Sequence, residues 1–185
     1  MTDAKQRVEV VNIAATGDLG VEIDIEKLVE DVDFEVANYD AEFNAAFLRI
    51  QEDEELVILY TSGKYILRGG DEFDRMHEVK TKFLNTLSEL GIEFQTTEFE
   101  VKNVVCVGDL ENTVNLNAAN LTLGLENTEY EPEQFPGVIY RPEKSPCVLL
   151  IFNSGKVVVT GGATREDAQS AFDLLHQELS PLLQQ

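Results

Sequence analysis

The chain has 185 residues, 43% of them hydrophobic, enough for a compact fold that needs no disulfide or metal staple. Fourteen Lys and Arg against thirty-five Asp and Glu leave a formal charge of −21, which at first sight speaks against a nucleic-acid partner, since phosphate binding normally shows as a basic surplus. The longest apolar run is only residues 147–152, and the opening MTDAKQ lacks a basic-then-apolar layout, so no membrane span or export signal is expected and the chain reads as a soluble cytoplasmic protein. In chain order, a strand over Val8–Thr16 leads into an amphipathic helix over Ile23–Val32, with Ile25, Leu28, Val29 and Val32 at helical spacing. Three short strands follow near Phe43–Ile50, Glu55–Tyr60 and Lys64–Arg68, parted by Gln-Glu-Asp-Glu and Thr-Ser-Gly turn signals. A long helix then carries Phe73, Met76, Val79, Phe83, Leu84, Leu87 and Leu90, and Gly91 stops it.

The layout then repeats. VVNIAATGDL (Val10–Leu19) lies over VKNVVCVGDL (Val101–Leu110) at a spacing of 91, and YTSGKYILRGG (Tyr60–Gly70) over FNSGKVVVTGG (Phe152–Gly162) at 92. The extra residue falls between YDAEF (Tyr39–Phe43) and YEPEQF (Tyr130–Phe135), in a turn, where insertions are tolerated. The second closing helix carries Ala168, Ala171, Phe172, Leu175 and Leu179, with Thr164 as its N-cap. Two pseudo-symmetric repeats are expected, over residues 1–93 and 94–185, each with helices on one face of an antiparallel sheet, an α+β arrangement that pairs most simply edge to edge about a pseudo-twofold axis.

A period of two separates the faces. Leu59, Gly63, Tyr65 and Leu67 suit the helix-covered core; Ile58, Tyr60, Ser62, Lys64, Ile66 and Arg68 form a hybrid surface, apolar yet carrying cations that a core would not bury unpaired. The second copy repeats it as Leu150, Phe152, Ser154, Lys156, Val158 and Thr160, and the preceding strands add Phe43, Ala45, Phe47 and Arg49, or Phe135, Gly137, Ile139 and Arg141. Five of the fourteen basic residues, Arg49, Lys64, Arg68, Arg141 and Lys156, thus share one face of an acidic chain. Asn12 and Asn103 open the two copies at matching places. A strand Asn is ordinarily a turn or edge residue, but its symmetric recurrence suits an amide that meets the acceptors of A·T pairs in a minor groove.

With these residues in place, the whole chain from about Val8 onward resembles the TATA-box-binding proteins of the archaeal and eukaryotic kind, most specifically in EYEPEQFPGVIYRPEKSPCVLLIFNSGKVVVTGG (Glu129–Gly162) and TSGKYILRGG (Thr61–Gly70). The resemblance implies a saddle, a curved ten-stranded antiparallel sheet with four helices on its convex face, whose underside binds the TATA minor groove as a general transcription initiation factor. It implies aromatic wedges at Phe43 with Tyr60 and at Phe135 with Phe152. It implies base contacts from Asn12, Asn103, Ala14, Val105, Ile66 and Val158, with Arg68 and Thr160 at a further base-reading position. Arg49, Ser62, Lys64, Arg141, Ser154 and Lys156 would hold phosphates. Glu131, Glu133 and Gln134 match the patch where transcription factor B docks, leading to recruitment of RNA polymerase. The apolar underside implies self-association into a homodimer when free of DNA.

Three departures weigh on this. Tyr60 stands where a Phe is usual, Arg68 replaces the Thr kept at Thr160, and Glu42 sits where many relatives carry a basic residue. They support an alternative, a saddle-fold paralogue that binds transcription factors with weak or no DNA binding. The acidic total fits a salt-loving archaeon, in whose brine the Debye length falls to about 3 Å. An enzyme is not expected: His77 and His176 lie in the closing helices, and Gly69-Gly70 and Gly161-Gly162 sit at strand-to-helix turns rather than in a phosphate loop. Cys106 and Cys147 read as buried thiols, so no metal or other cofactor is expected.

Overall fold

A computed structural model describes residues 7–183; the stretch Met1–Gln6, read above for an export signal, lies outside them. Among the described residues the order is β1 (Glu9–Asp18), α1 (Ile25–Asp31), β2 (Val36–Asp40), β3 (Ala45–Arg49), β4 (Leu56–Tyr60), β5 (Lys64–Gly69), α2 (Phe73–Glu89), β6 (Glu98–Asp109), α3 (Leu116–Thr122), β7 (Thr128–Glu129), β8 (Gly137–Tyr140), β9 (Val148–Phe152), β10 (Lys156–Gly162) and α4 (Arg165–Leu183). The fold is α+β, a ten-stranded open sheet in the order β2-β3-β4-β5-β1-β6-β10-β9-β8-β7. No helix among these residues is long and apolar enough to cross a membrane. The described residues divide into two compact units, Asn12–Lys102, and residues 103–183 together with residues 7–11.

Within Asn12–Lys102 the ladders β2–β3, β3–β4, β4–β5 and β5–β1 are all antiparallel. Helix α1 starts where the Asp24 carboxylate accepts the Lys27 N–H, and it buries Ile25 and Leu28. Helix α2 turns Met76, Val79, Phe83 and Leu87 into the core, where they meet the sheet face that carries Ile13, Ala15, Leu59, Tyr65 and Leu67. Each fully buried side chain of this size contributes about 1.5–3 kcal/mol. The helix ends at Leu90, and Gly91 follows at φ +80, so the predicted glycine stop stands.

The other unit is built in the same way. Asn115 caps α3 by accepting the Ala118 N–H, and Thr164 exchanges hydrogen bonds with Asp167 at the start of α4. Ala168, Ala171, Phe172, Leu175 and Leu179 of α4 are buried with Val104, Cys106, Leu149, Ile151, Val157 and Val159. Both cysteines are buried and unbridged, and burial raises both thiols above their usual range.

Three details differ from the residue patterning. Periodicity marks three strands between the helices of each repeat, and the structure adds β2 and β7, which complete the ten strands that the resemblance implies. The first is a half-exposed edge strand with no clean alternation, and the second is two residues long. The first helix is shorter than Ile23–Val32, since Val32 is already extended. Phe43 and Phe135 stand in turns ahead of β3 and β8, and Arg141 lies just past β8.

Candidate nucleic-acid interface

Each unit leaves one sheet face without a helix. In Asn12–Lys102 the register aligns Phe47, Ile58, Ile66 and Thr16 in one row, and Leu56, Arg68 and Ala14 in the next. Directly paired residues share a face, so the cations predicted for this surface do lie among its apolar rows. In the other unit Ile139, Leu150, Val158 and Val107 form one row, with Lys156 opposite Asp109. Asn12, Ala14, Val105, Ile66, Val158 and Thr160 are half-buried there, while Arg68, Lys64, Lys156, Ser62 and Ser154 are exposed.

Tight turns aim the aromatic residues at the end of each face. After Tyr60, Gly63 adopts φ +82 and its N–H returns to the Tyr60 carbonyl at 2.9 Å. A Cβ on Gly63 would stand 2.1 Å from the Val21 carbonyl oxygen, so only glycine closes this turn. Gly155 repeats the arrangement after Phe152, at φ +89 and 2.9 Å. Ser62 and Ser154 accept the N–H of Lys64 and Lys156, each at 3.4 Å.

The companion turns differ. Asp40 holds the Phe43 turn by accepting the N–H of Glu42 and Phe43 through Oδ1, and Phe43 is 63% exposed. Around Phe135 the Glu131 carbonyl accepts the N–H of both Gln134 and Phe135. There the Phe135 and Phe152 rings meet edge to face at 5.7 Å. Phe43 makes no such ring contact with Tyr60 among the described residues. Beside that pair lies a cavity of about 640 Å³ lined by Phe43, Tyr60, Ile66, Lys64, Phe99 and Tyr65 among others.

Glu131, Glu133 and Gln134 are all exposed. The Glu131 carboxylate accepts the Gln134 side-chain amide at 2.5 Å, which ties those two to their own loop, and Glu133 has no such bond.

The electrostatics contain what sequence reasoning missed. Lys156 donates to Asp109 Oδ2 at 2.8 Å and Arg141 to Glu129 Oε1 at 2.6 Å, so both cations expected to hold phosphate in this unit carry a carboxylate. The Lys156 hydrogen bond, reinforced by the Glu111 N–H, holds Asp109 below the usual carboxylate range, and Asp109 in turn raises Lys156. In the other unit Arg49, Lys64 and Arg68 have no ion pair among the described residues, and Arg49 Nε is buried without a hydrogen bond. Alternation continued two steps past Val105 would have found Asp109, and one step past Ala14 would have found Thr16. The two asparagines differ as well: Asn103 Oδ1 accepts from the Gly161 N–H at 2.7 Å and the Thr160 hydroxyl at 3.1 Å, and Asn12 has no counterpart. No cluster of His, Cys, Asp and Glu among the described residues is arranged to hold a metal ion.

Comparison with known proteins matches residues 7–90 and 98–182 to the family model described as transcription factor TFIID, or TATA-binding protein. The chain is 43% identical over 179 residues to TATA-box-binding protein C of Halobacterium salinarum, covering 95% of this chain and 99% of that protein. It is 39% identical over 184 residues to the TATA-box-binding protein of Haloarcula marismortui, with 98% of each covered. A solved structure titled Methanococcus jannaschii TBP aligns with a TM-score of 0.81 at 32% identity, over 95% of this chain and 99% of that one.

Proposed function

The chain belongs to the TATA-binding protein family, a family of DNA-binding transcription factors and not of enzymes, and from that premise we propose that it binds TATA-element DNA through its two open sheet faces and bends it to start transcription. Insertion of aromatic wedges from the minor groove, with kinking of the duplex, is the known behaviour of this family itself. The observation that carries the reading for this chain is the duplicated open face. Each copy sets a row of apolar side chains between a turn-mounted aromatic pair and an asparagine, with hydroxyls and cations beside it. Phe43, Tyr60, Phe135 and Phe152 serve as the wedges. Ala14, Val105, Ile66 and Val158 make apolar contact with base edges that Asn12 and Asn103 read by hydrogen bonds. Arg49, Lys64, Arg141, Lys156, Ser62 and Ser154 hold phosphates and set register. Glu133, with Glu131 and Gln134, offers the exposed loop to transcription factor B, through which RNA polymerase joins.

End-to-end fluorescence transfer on a dye-labelled TATA duplex in molar KCl tests this. Bending of the TATA duplex and not of a scrambled one, lost in Phe135→Ala plus Phe152→Ala, is the expected result. A folded protein that bends nothing at any salt overturns it. The carboxylates on Lys156 and Arg141 favour a second reading, a paralogue that binds transcription factors with little use of DNA. In that case factor B is captured equally well with and without the duplex.

A further inference from the structure

Asn103 is held as a one-way reader. An N–H only donates, so the Asn103 atom 2.7 Å from the Gly161 nitrogen is its oxygen, and the amide is not free to flip. The Thr160 hydroxyl fills the second acceptor position of the same oxygen, which leaves Nδ2 as the only group this side chain offers a base. Gly161 has an N–H to spare because β10 slips register against β6 between Val159 and Gly162, as a β-bulge does.

Asn12 has neither partner. The β1–β5 ladder runs without a shift through Ile13↔Gly69, so no bulge N–H is spare, and Arg68 stands where the other repeat has Thr160. Among the described residues the Asn12 side chain makes no hydrogen bond, so it can turn either its donor or its acceptor outward. Arg68, exposed beside Ala14, supplies donors only.

In the minor groove an A·T pair shows acceptors alone, and a G·C pair adds the guanine 2-amino donor between them. Against that donor Asn103 can set only another donor. Asn12 can turn its oxygen to it while Arg68 donates to the flanking acceptors. Resting on the TATA reading above, we propose that Asn103, locked by Thr160 and Gly161, demands an A·T pair, whereas Asn12 with Arg68 accepts a G·C pair in its half of the element. Orientation on a near-symmetric element then follows from which half carries the G·C pair.

The test uses a centrally symmetric A/T element, the same element with one A·T pair replaced by G·C in one half, and one replaced in both halves, titrated by anisotropy in molar KCl. The single replacement is expected to bind within about threefold of the parent, and the double to lose about tenfold or more. Inosine in place of guanine, which lacks the 2-amino group, is expected to restore the double. Arg68→Thr, which recreates the other repeat's residue, is expected to cost the single replacement about tenfold. A dye on Ser170→Cys, an exposed α4 position in the unit that carries Asn103, is expected to show stronger transfer to the duplex end away from the G·C pair. A tenfold loss from the single replacement, evenly mixed orientations, or a double replacement that binds like the parent overturns the proposal while leaving the TATA reading intact. A parent element that does not bind overturns both.

Discussion

Lys156 illustrates how one carboxylate decides what a cation can do. Asp109, with a folded pKa below its ordinary 3.8, contributes stability above that value and loses it as the pH falls through the folded one. Lys156, raised above 10.5, contributes below that value and loses its share as the pH climbs through its own folded pKa. The pair is therefore intact across the neutral range, where DNA meets a lysine already engaged. Asp109→Asn keeps an oxygen for the Glu111 N–H but frees the ammonium. It is expected to tighten TATA-duplex binding about two- to fivefold below molar salt and to steepen the salt dependence by about one phosphate contact. Unchanged affinity and slope in a salt-series titration would show that Lys156 does not face a phosphate. The alternation of Val105, Val107 and Asp109 makes the shared face legible in the sequence. The pairing is not legible, because it joins residues 109 and 156 through side-chain torsions. Lys64 stands opposite Asp18 in the same register and yet forms no such bond.

At the scale of an element, the two long strands that carry the asparagines each need a glycine, for reasons that only packing reveals. Gly17 lies opposite Tyr65, whose ring covers it so closely that a Cβ would stand 2.1 Å from the ring. Gly108 lies opposite Val157 and is covered instead by Phe172 from α4. The same backbone gap is thus filled from the neighbouring strand in one unit and from the helix in the other. Tyr65 leaves its hydroxyl buried without a hydrogen bond, and burial pushes its pKa up to about 12. Gly17→Ala is expected to cost about 1–3 kcal/mol by overpacking. Tyr65→Val, the residue that the other repeat carries, should relieve the added methyl, so the double variant falls short of the summed single losses by about 1 kcal/mol or more in denaturant titrations. Strict additivity would mean that the strand, not the ring, absorbs the added methyl. The two-residue period, the Ser-Gly-Lys turns and the terminal helices were all legible because each has its own local signal. The edge strands β2 and β7 were not, since their pairing is decided by the neighbour that they close against. The extra residue of the second loop was visible, but the edge-to-face contact of Phe135 with Phe152, against an exposed Phe43, was not, because it depends on side-chain placement.

For the whole molecule the question is how a chain of net charge −21 approaches a polyanion. The repeat itself was the most legible feature, because ten residues recurring in order need no structure to be seen, and it carried the duplicated face with it. What the charge total hid was the internal neutralisation: Asp109 and Glu129 occupy two of the four cations expected on phosphate. Four free phosphate contacts would give a slope of about −4 in log affinity against log salt. With two cations already paired, DNA displaces carboxylates rather than solvent, and each stranded carboxylate near a phosphate favours a cation from solution. That uptake offsets counterion release at two of the four contacts, and toward molar salt, where the Debye length falls to about 3 Å, the screening of repulsion between the −21 chain and DNA opposes the remainder. Apolar burial and DNA deformability then drive binding. Affinity for a TATA duplex is accordingly expected to change little, or to rise, between about 0.1 and 1 M KCl. In Asp109→Asn combined with Glu129→Gln the ordinary fall with salt should return. A steep loss in the unsubstituted chain, parallel to that of the double variant, would remove the carboxylates from the account and leave the cations acting alone.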